Sequence, residues 1–225
     1  MPGAARYFVS RAAIVALFGA VLLIAAGRFG WSRGWAYLGF VLFGEALSEA
    51  IVMVANPAVL NQRGTLMLSD TKTFDKVFLA LWPLIGCSSA VVAGLDQRFG
   101  WSSLPFETVY AGAVLTALGF AVGTWAMAVN VYFEPTVRIQ TERGHQVVMA
   151  GPYRIVRHPG YVGAILGGLA APRFLGSAWM FVPAAGVVLL FVGRTALEDV
   201  ALQRVLPGYR AYAQRTLYRL LPGVW

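Results

Sequence analysis

The sequence predicts an all-α integral membrane protein, a bundle of five to six membrane helices ending in a C-terminal helical hairpin. Three observations point there. Of 225 residues, 58% are hydrophobic and only 12% charged, about half the charged fraction of an ordinary soluble domain. Apolar runs close to bilayer length recur along the chain. The basic residues fall mostly on one side of those runs. The length would hold one or two soluble domains, but one compact bundle uses nearly all of it. The chain reads as a single membrane domain over 1–225, with four spans in 1–133 and a loop, hairpin and C-terminal helix in 134–225.

The first apolar run, 12–27, follows Arg6 and Arg11. It has the outline of a signal peptide, but Ile24 is too large for the position three before a cut after Ala26. It is expected to remain as the first span. Residues 34–55 form a second span interrupted by Glu45 and Glu49, which share a helix face and need a partner, a proton or a water-filled cavity. Residues 77–95 are an uncharged third span, and 108–133 a fourth, long enough to tilt or project. The hairpin follows as 160–172 and 174–193, joined at Pro172-Arg173, with a first arm too short to cross comfortably. The long polar stretches are 56–76 and 134–158.

With a cytoplasmic N-terminus, 14 basic residues lie inside, including Arg63, Arg138 and Arg143, against 4 outside (Arg28, Arg33, Arg98, Arg173). That is a clear positive-inside bias. Trp31, Trp35, Trp101 and Trp179 then mark the outer interface. The net charge of +8 fits basic loops facing anionic headgroups and membrane lipids. No soluble basic domain is present to hold a nucleic acid. Cys87 stands alone in an apolar run, which argues against a disulfide or a thiolate metal site; no metal is expected.

Chemistry concentrates in Gly151-Pro-Tyr-Arg-Ile-Val-Arg-His-Pro-Gly-Tyr-Val-Gly163. Gly160 and Gly163 flank Tyr161 where backbone can approach a ligand closely. Arg194 and Glu198, four apart, share a helix face beyond the hairpin's second arm. Closing the hairpin brings His158 and Tyr161 toward Arg194 and Glu198. Such a site offers cations for a carboxylate, an acid for an ammonium and flat walls for a ring. A zwitterionic, amino-acid-like cofactor carrying a base fits it. Glu134, beside Asn130 at the exit of the fourth span, is expected to wall a substrate pocket.

Over roughly 137–222 the chain resembles isoprenylcysteine carboxyl methyltransferases and their phospholipid-methyltransferase relatives. The residues that carry this are His145-Gln-Val-Val148, Gly151-Pro-Tyr153, Arg157-His-Pro-Gly-Tyr161, Arg194 with Glu198, Pro207-Gly-Tyr-Arg-Ala-Tyr212 and Leu220-Leu-Pro222. Upstream, Asn56-Pro57, Arg63 and Asp75-Lys76 are similar to bacterial members, so a bacterial inner membrane is expected, with both termini and the cofactor site cytoplasmic. The resemblance implies S-adenosyl-L-methionine as cofactor. It implies donor contacts from Gln140, His145, Gln146, Val147, Val148, Tyr153, His158, Pro159, Gly160, Tyr161 and Glu198. Arg194 matches a residue associated with substrate, and Asp199 stands where the family carries a second glutamate.

The implied reaction is methyl transfer by in-line displacement to a membrane-associated amphiphile, with carboxyl O-methylation of an isoprenylcysteine-type compound leading. Arg194 would orient the acceptor while Glu198 holds the donor's ammonium. Phospholipid N-methylation and small-thiol S-methylation are alternatives within the class. An NADPH-dependent enzyme similar to membrane sterol reductases is the alternative outside it, but no extra basic cluster suits a 2′-phosphate. Two openings are expected: a cytoplasmic one for the donor, and a lateral one near Asn130, Glu134 and Arg194 for the acceptor.

Overall fold

The computed structural model describes residues 2–63, 72–136, 140 and 143–225; Arg138, counted above with the inner cations, lies outside them. The described chain is all helix and loop: α1 (Pro2–Ala26), α2 (Ser32–Ala55), α3 (Pro57–Arg63), α4 (Thr73–Phe99), α5 (Thr108–Val129), α6 (Pro159–Leu175), α7 (Phe181–Val205) and α8 (Tyr209–Arg215). Five of them, α1, α2, α4, α5 and α7, are long and apolar enough to cross a membrane. With α6 as a shorter sixth member, the protein is an integral membrane helix bundle.

Several boundaries differ from the sequence reading. The hairpin link is not Pro172-Arg173, because both lie inside α6. The helix instead stops at Gly176, which adopts φ 81° and donates its N–H to the Pro172 carbonyl. That left-handed stop is a conformation glycine takes without strain. The second arm starts seven residues later than the expected 174 and runs on to Val205, so Arg194, Glu198 and Asp199 project from regular helix. The fourth span ends at Val129 rather than 133. There Asn56 donates its amide to the carbonyls of Met127, at 2.9 Å, and Asn130, at 3.2 Å. These bonds satisfy carbonyls that a continuing helix would have used. The polar stretch after α2 contains the short helix α3, and the C-terminal helix α8 ends at Arg215.

Glycine permits close helix contacts. A Cβ on Gly119 of α5 would lie 2.8 Å from the Gly163 carbonyl oxygen, and one on Gly163 of α6 would lie 2.7 Å from that of Gly119. Small residues permit such backbone approach in a bilayer, where packing rather than hydrophobic expulsion drives association. α1 and α4 meet similarly at Gly94, whose added Cβ would fall 2.6 Å from the Leu22 carbonyl oxygen. Toward their other ends the two helices part, and Ile14 and Leu17 of α1 and Trp82, Gly86 and Cys87 of α4 line a cavity. α7 packs on α4 through Phe191, edge-on to Phe78 at 5.3 Å and Trp82 at 5.1 Å. The C-terminal tail returns to the start of α6, where Arg157 and His158 donate backbone N–H groups to Tyr218 and Arg219 at 2.9 and 3.0 Å.

Candidate active site

His158 caps α6, and Pro159 takes the first helical position, where its missing N–H costs nothing. The hairpin closes as expected and brings the α6 start against α7. The His158 ring lies parallel to Tyr161, with centroids 5.7 Å apart and planes at 3°. Tyr161 donates its hydroxyl to Glu198, and His158 Nδ1 lies 4.0 Å from the same carboxylate. Glu198 keeps 18% side-chain exposure, so its charge faces open space beside this aromatic pair.

Asp199 points the other way and is fully buried. It accepts from Arg157 at 3.0 Å, Arg219 at 3.0 Å, Gln203 at 2.8 Å and Tyr209 at 3.0 Å, with His158 Nε2 at 3.5 Å. A carboxylate so saturated has no lone pair left for a ligand. Its role is to hold Arg157, His158 and the C-terminal tail in one arrangement. Burial pushes the phenols of Tyr153 and Tyr209 well above their ordinary range, with Asp199's charge adding to the effect on Tyr209. Tyr212 is likewise pushed up to about 12 by burial. All three therefore serve as neutral hydrogen-bond donors or acceptors at physiological pH.

Arg194 is 5% exposed. Its Nη2 lies 2.7 Å from an Asp75 oxygen and also donates to the Pro135 carbonyl. Nε stands 3.9 Å from Glu198, and the guanidinium lies over the Phe78 ring at 3.9 Å. Asp75, on α4 and fully buried, is the residue that sequence reasoning missed as part of the site. An acid at the edge of an apolar run was its signal, since such a group needs a partner.

A cavity of about 770 Å³ joins these parts. Most residues the resemblance implied line it: His145, Gln146, Val147, Val148, Tyr153, His158, Gly160, Tyr161 and Glu198, together with Asn130, Glu134 and Arg194. Two do not. Gln140 is 1% exposed and donates to the Tyr132 carbonyl at 3.1 Å, so it braces the loop; Pro159 serves the α6 turn. Behind the wall, Asn130 donates to the Tyr153 hydroxyl at 2.9 Å, and His145 stacks on Tyr132 at 4.2 Å. Away from this polar end the wall becomes apolar, with Val15, Phe18, Val41, Leu79 and Phe120. Arg11 and Glu45 also line it and form an ion pair, which gives Glu45 the partner its position demanded.

The polar end of this pocket thus lies where the start of α6 meets α7. Residues 112–204, from α5 through nearly all of α7, match the isoprenylcysteine carboxyl methyltransferase (ICMT) family. That match covers less than half of the chain, and over those residues the chain is similar to the isoprenylcysteine and phospholipid methyltransferase-like group. It supports S-adenosylmethionine-dependent methyl transfer to a membrane-associated amphiphile. No curated protein matches the chain.

Proposed function

We propose that the protein methylates a carboxylate on an isoprenylcysteine-type amphiphile, using S-adenosylmethionine from the cytoplasm. The observation that carries this reading is one cavity whose polar end holds Arg194, Glu198, Tyr161 and His158 and whose remainder is lined mainly by apolar span residues, with Arg63 and the Arg11–Glu45 pair set among them. A polar head and a long apolar tail are the two parts such a space accepts, and each buried methylene contributes about 0.8 kcal/mol.

The residues fit the donor. Glu198 is a partly exposed carboxylate for an ammonium group, and Val147, Val148, Tyr153 and Tyr161 supply apolar and flat surfaces for the rest. When bound, the sulfonium supplies a methyl group already activated for displacement. The chain's task is then alignment and exclusion of water. Glu198, oriented by Tyr161, holds the donor end. Arg194, fixed between Asp75 and the Phe78 ring, presents positive charge beside it. An ionised acceptor carboxylate is a competent nucleophile, so no residue has to remove a proton. The lateral route for the acceptor runs where α1 and α4 part, beside Ile14, Leu17 and Trp82, in addition to the rim at Asn130 and Glu134.

The test is product analysis with methyl-labelled donor and purified protein in lipid. The acceptors are a prenylated cysteine carboxylate, an amine-headed phospholipid and a small thiol. An alkali-labile methyl ester of the prenylated acid, releasing its label as volatile methanol on base treatment, is expected. Label appearing only in alkali-stable amine or thioether products overturns the reading. Calorimetry with S-adenosylmethionine against NADPH separates the reductase alternative.

A further inference from the structure

Four cations line the cavity, and three of them already have carboxylates. Arg11 pairs with Glu45, Arg157 with Asp199 at 2.9 Å, and Arg194 with Asp75 at 2.7 Å. The fourth is Arg63, the last residue of α3. Among the described residues it has no acidic partner. Its guanidinium sits between two rings, 5.4 Å from the centroid of Tyr7 and 5.2 Å from that of Phe133. Its Nε is shut off from solvent and has no hydrogen-bond partner. Aromatic faces offset only part of a cation's desolvation, by about 0.5–2 kcal/mol. A half-buried guanidinium with unspent donors is poised for an anion.

The position of Arg63 relates it to the reacting end. The Phe133 ring that it covers also packs on Gly160, where an added Cβ would lie 2.6 Å from the ring. Gly160 precedes Tyr161, the partner of Glu198. Two residues beyond Phe133, the Pro135 carbonyl receives Arg194. The segment Phe133–Pro135 therefore stands between the two guanidinium groups, with Arg63 on the side of α1 and α3 and Arg194 on the side of α4 and α7.

We infer that Arg63 is the specificity-determining cation for the acceptor: it receives the anionic head of the amphiphile, while the already neutralised Arg194 serves to position Glu198 and the polar end. This rests on the carboxylate reading above and names the residue that selects it. It follows from charge balance. A carboxylate brought to Arg194 must compete with Asp75 and Glu198, whereas one brought to Arg63 competes with no acid within ion-pair distance. A charge-assisted hydrogen bond also gains most where neither group was paired beforehand.

The test uses binding, so that it does not depend on turnover. Two probes with the same prenyl tail, one ending in a carboxylate and one in the neutral primary amide, are titrated into the full-length protein in lipid nanodiscs. The wild type is expected to prefer the carboxylate by about tenfold or more. Arg63→Gln should remove that preference while leaving S-adenosylmethionine affinity unchanged, and Arg63→Lys should retain part of it. Retention of the full preference in Arg63→Gln overturns the inference, as does an equal affinity of the wild type for both probes. If Arg63→Gln also loses the donor, Arg63→Lys decides: donor affinity restored without carboxylate preference overturns it, and both restored together supports it. Failure of the carboxylate reading is distinguishable, because the wild type would then bind the acid probe preferentially yet form no ester from it.

Discussion

The two halves of the molecule handle charge in opposite ways. In the C-terminal half, Asp199 gathers Arg157, Arg219, Gln203, Tyr209 and His158 around one fully buried carboxylate. Each polar group there is held by several others, and the tail is stitched to the hairpin by backbone bonds. Where the N-terminal half lines the cavity, its charges stand singly or in one pair against apolar walls: Arg63 on two rings, and Arg11 with Glu45. The difference suits two ligands of different demands. A donor with a reacting methyl needs fixed geometry, since misplacement by about 1 Å is expensive in rate. A long apolar tail needs volume and exclusion of water, for which the looser wall is enough. The tight half is also the half that matches the family, within 112–204.

The sharpest way to break this comparison is to unlock the tight half. Asp199→Asn keeps the shape but leaves Arg157 and Arg219 with no opposing charge in a buried site. Removing one partner of a buried ion pair costs about 3–5 kcal/mol, so a large fall in thermal midpoint in detergent is expected, with donor binding lost alongside. A variant as stable as the wild type would mean that the network is decoration and that the tail is held by its backbone bonds alone.

A smaller effect is expected at the α5–α6 contact. Gly119→Leu places its side chain against the Gly163 carbonyl, 2.8 Å from the first added atom. Overpacking of this kind costs about 1–3 kcal/mol. Because α6 carries His158, Gly160 and Tyr161, the displacement should weaken S-adenosylmethionine binding more than acceptor binding. Gly39→Leu is the control: it lies on α2 outside the cavity lining, and a Cβ there meets nothing within 4 Å. Equal losses in the two variants would show that an added leucine on any of these helices, not the close approach to Gly163, is responsible.

Much of the architecture was legible in the chain because bilayer length and charge asymmetry act locally. Four spans, the hairpin and the approach of His158 and Tyr161 to Glu198 follow from apolar runs and one short connection. What escaped depended on partners far apart in sequence. Asp75 meets Arg194 across the bundle, and nothing in the periodicity of either helix names the other. Asp199 carried no role in the sequence beyond its place beside Glu198, because its partners Arg157, Gln203, Tyr209 and Arg219 come together only in the fold. Successive residues on a helix point about 100° apart, so the two carboxylates serve different sides. Gly176 was overlooked as the stop of α6 because Pro172-Arg173 looked like the stronger break, yet a proline near the end of a helix removes only one donor.

The gentlest test concerns the loose half, where the Arg11–Glu45 pair lines the cavity. The two side chains retain 31% and 15% exposure, so water or a polar ligand atom screens them in part, unlike the Asp199 set. Interhelical polar contacts in membranes average about 0.6 kcal/mol by double-mutant cycles. A cycle through Arg11→Gln, Glu45→Gln and the double variant should therefore return a coupling of about that size in stability. The functional consequence should fall on the acceptor alone: a changed apparent Michaelis constant, with S-adenosylmethionine affinity as in the wild type. On the proposed function the pair belongs to the wall that receives the amphiphile, which α1 and α2 supply, whereas Glu198 stands on α7. A coupling of 3 kcal/mol or more, or a loss of donor binding in either single variant, would make the N-terminal half as tightly organised as the C-terminal one, and the contrast between the two would have to be abandoned.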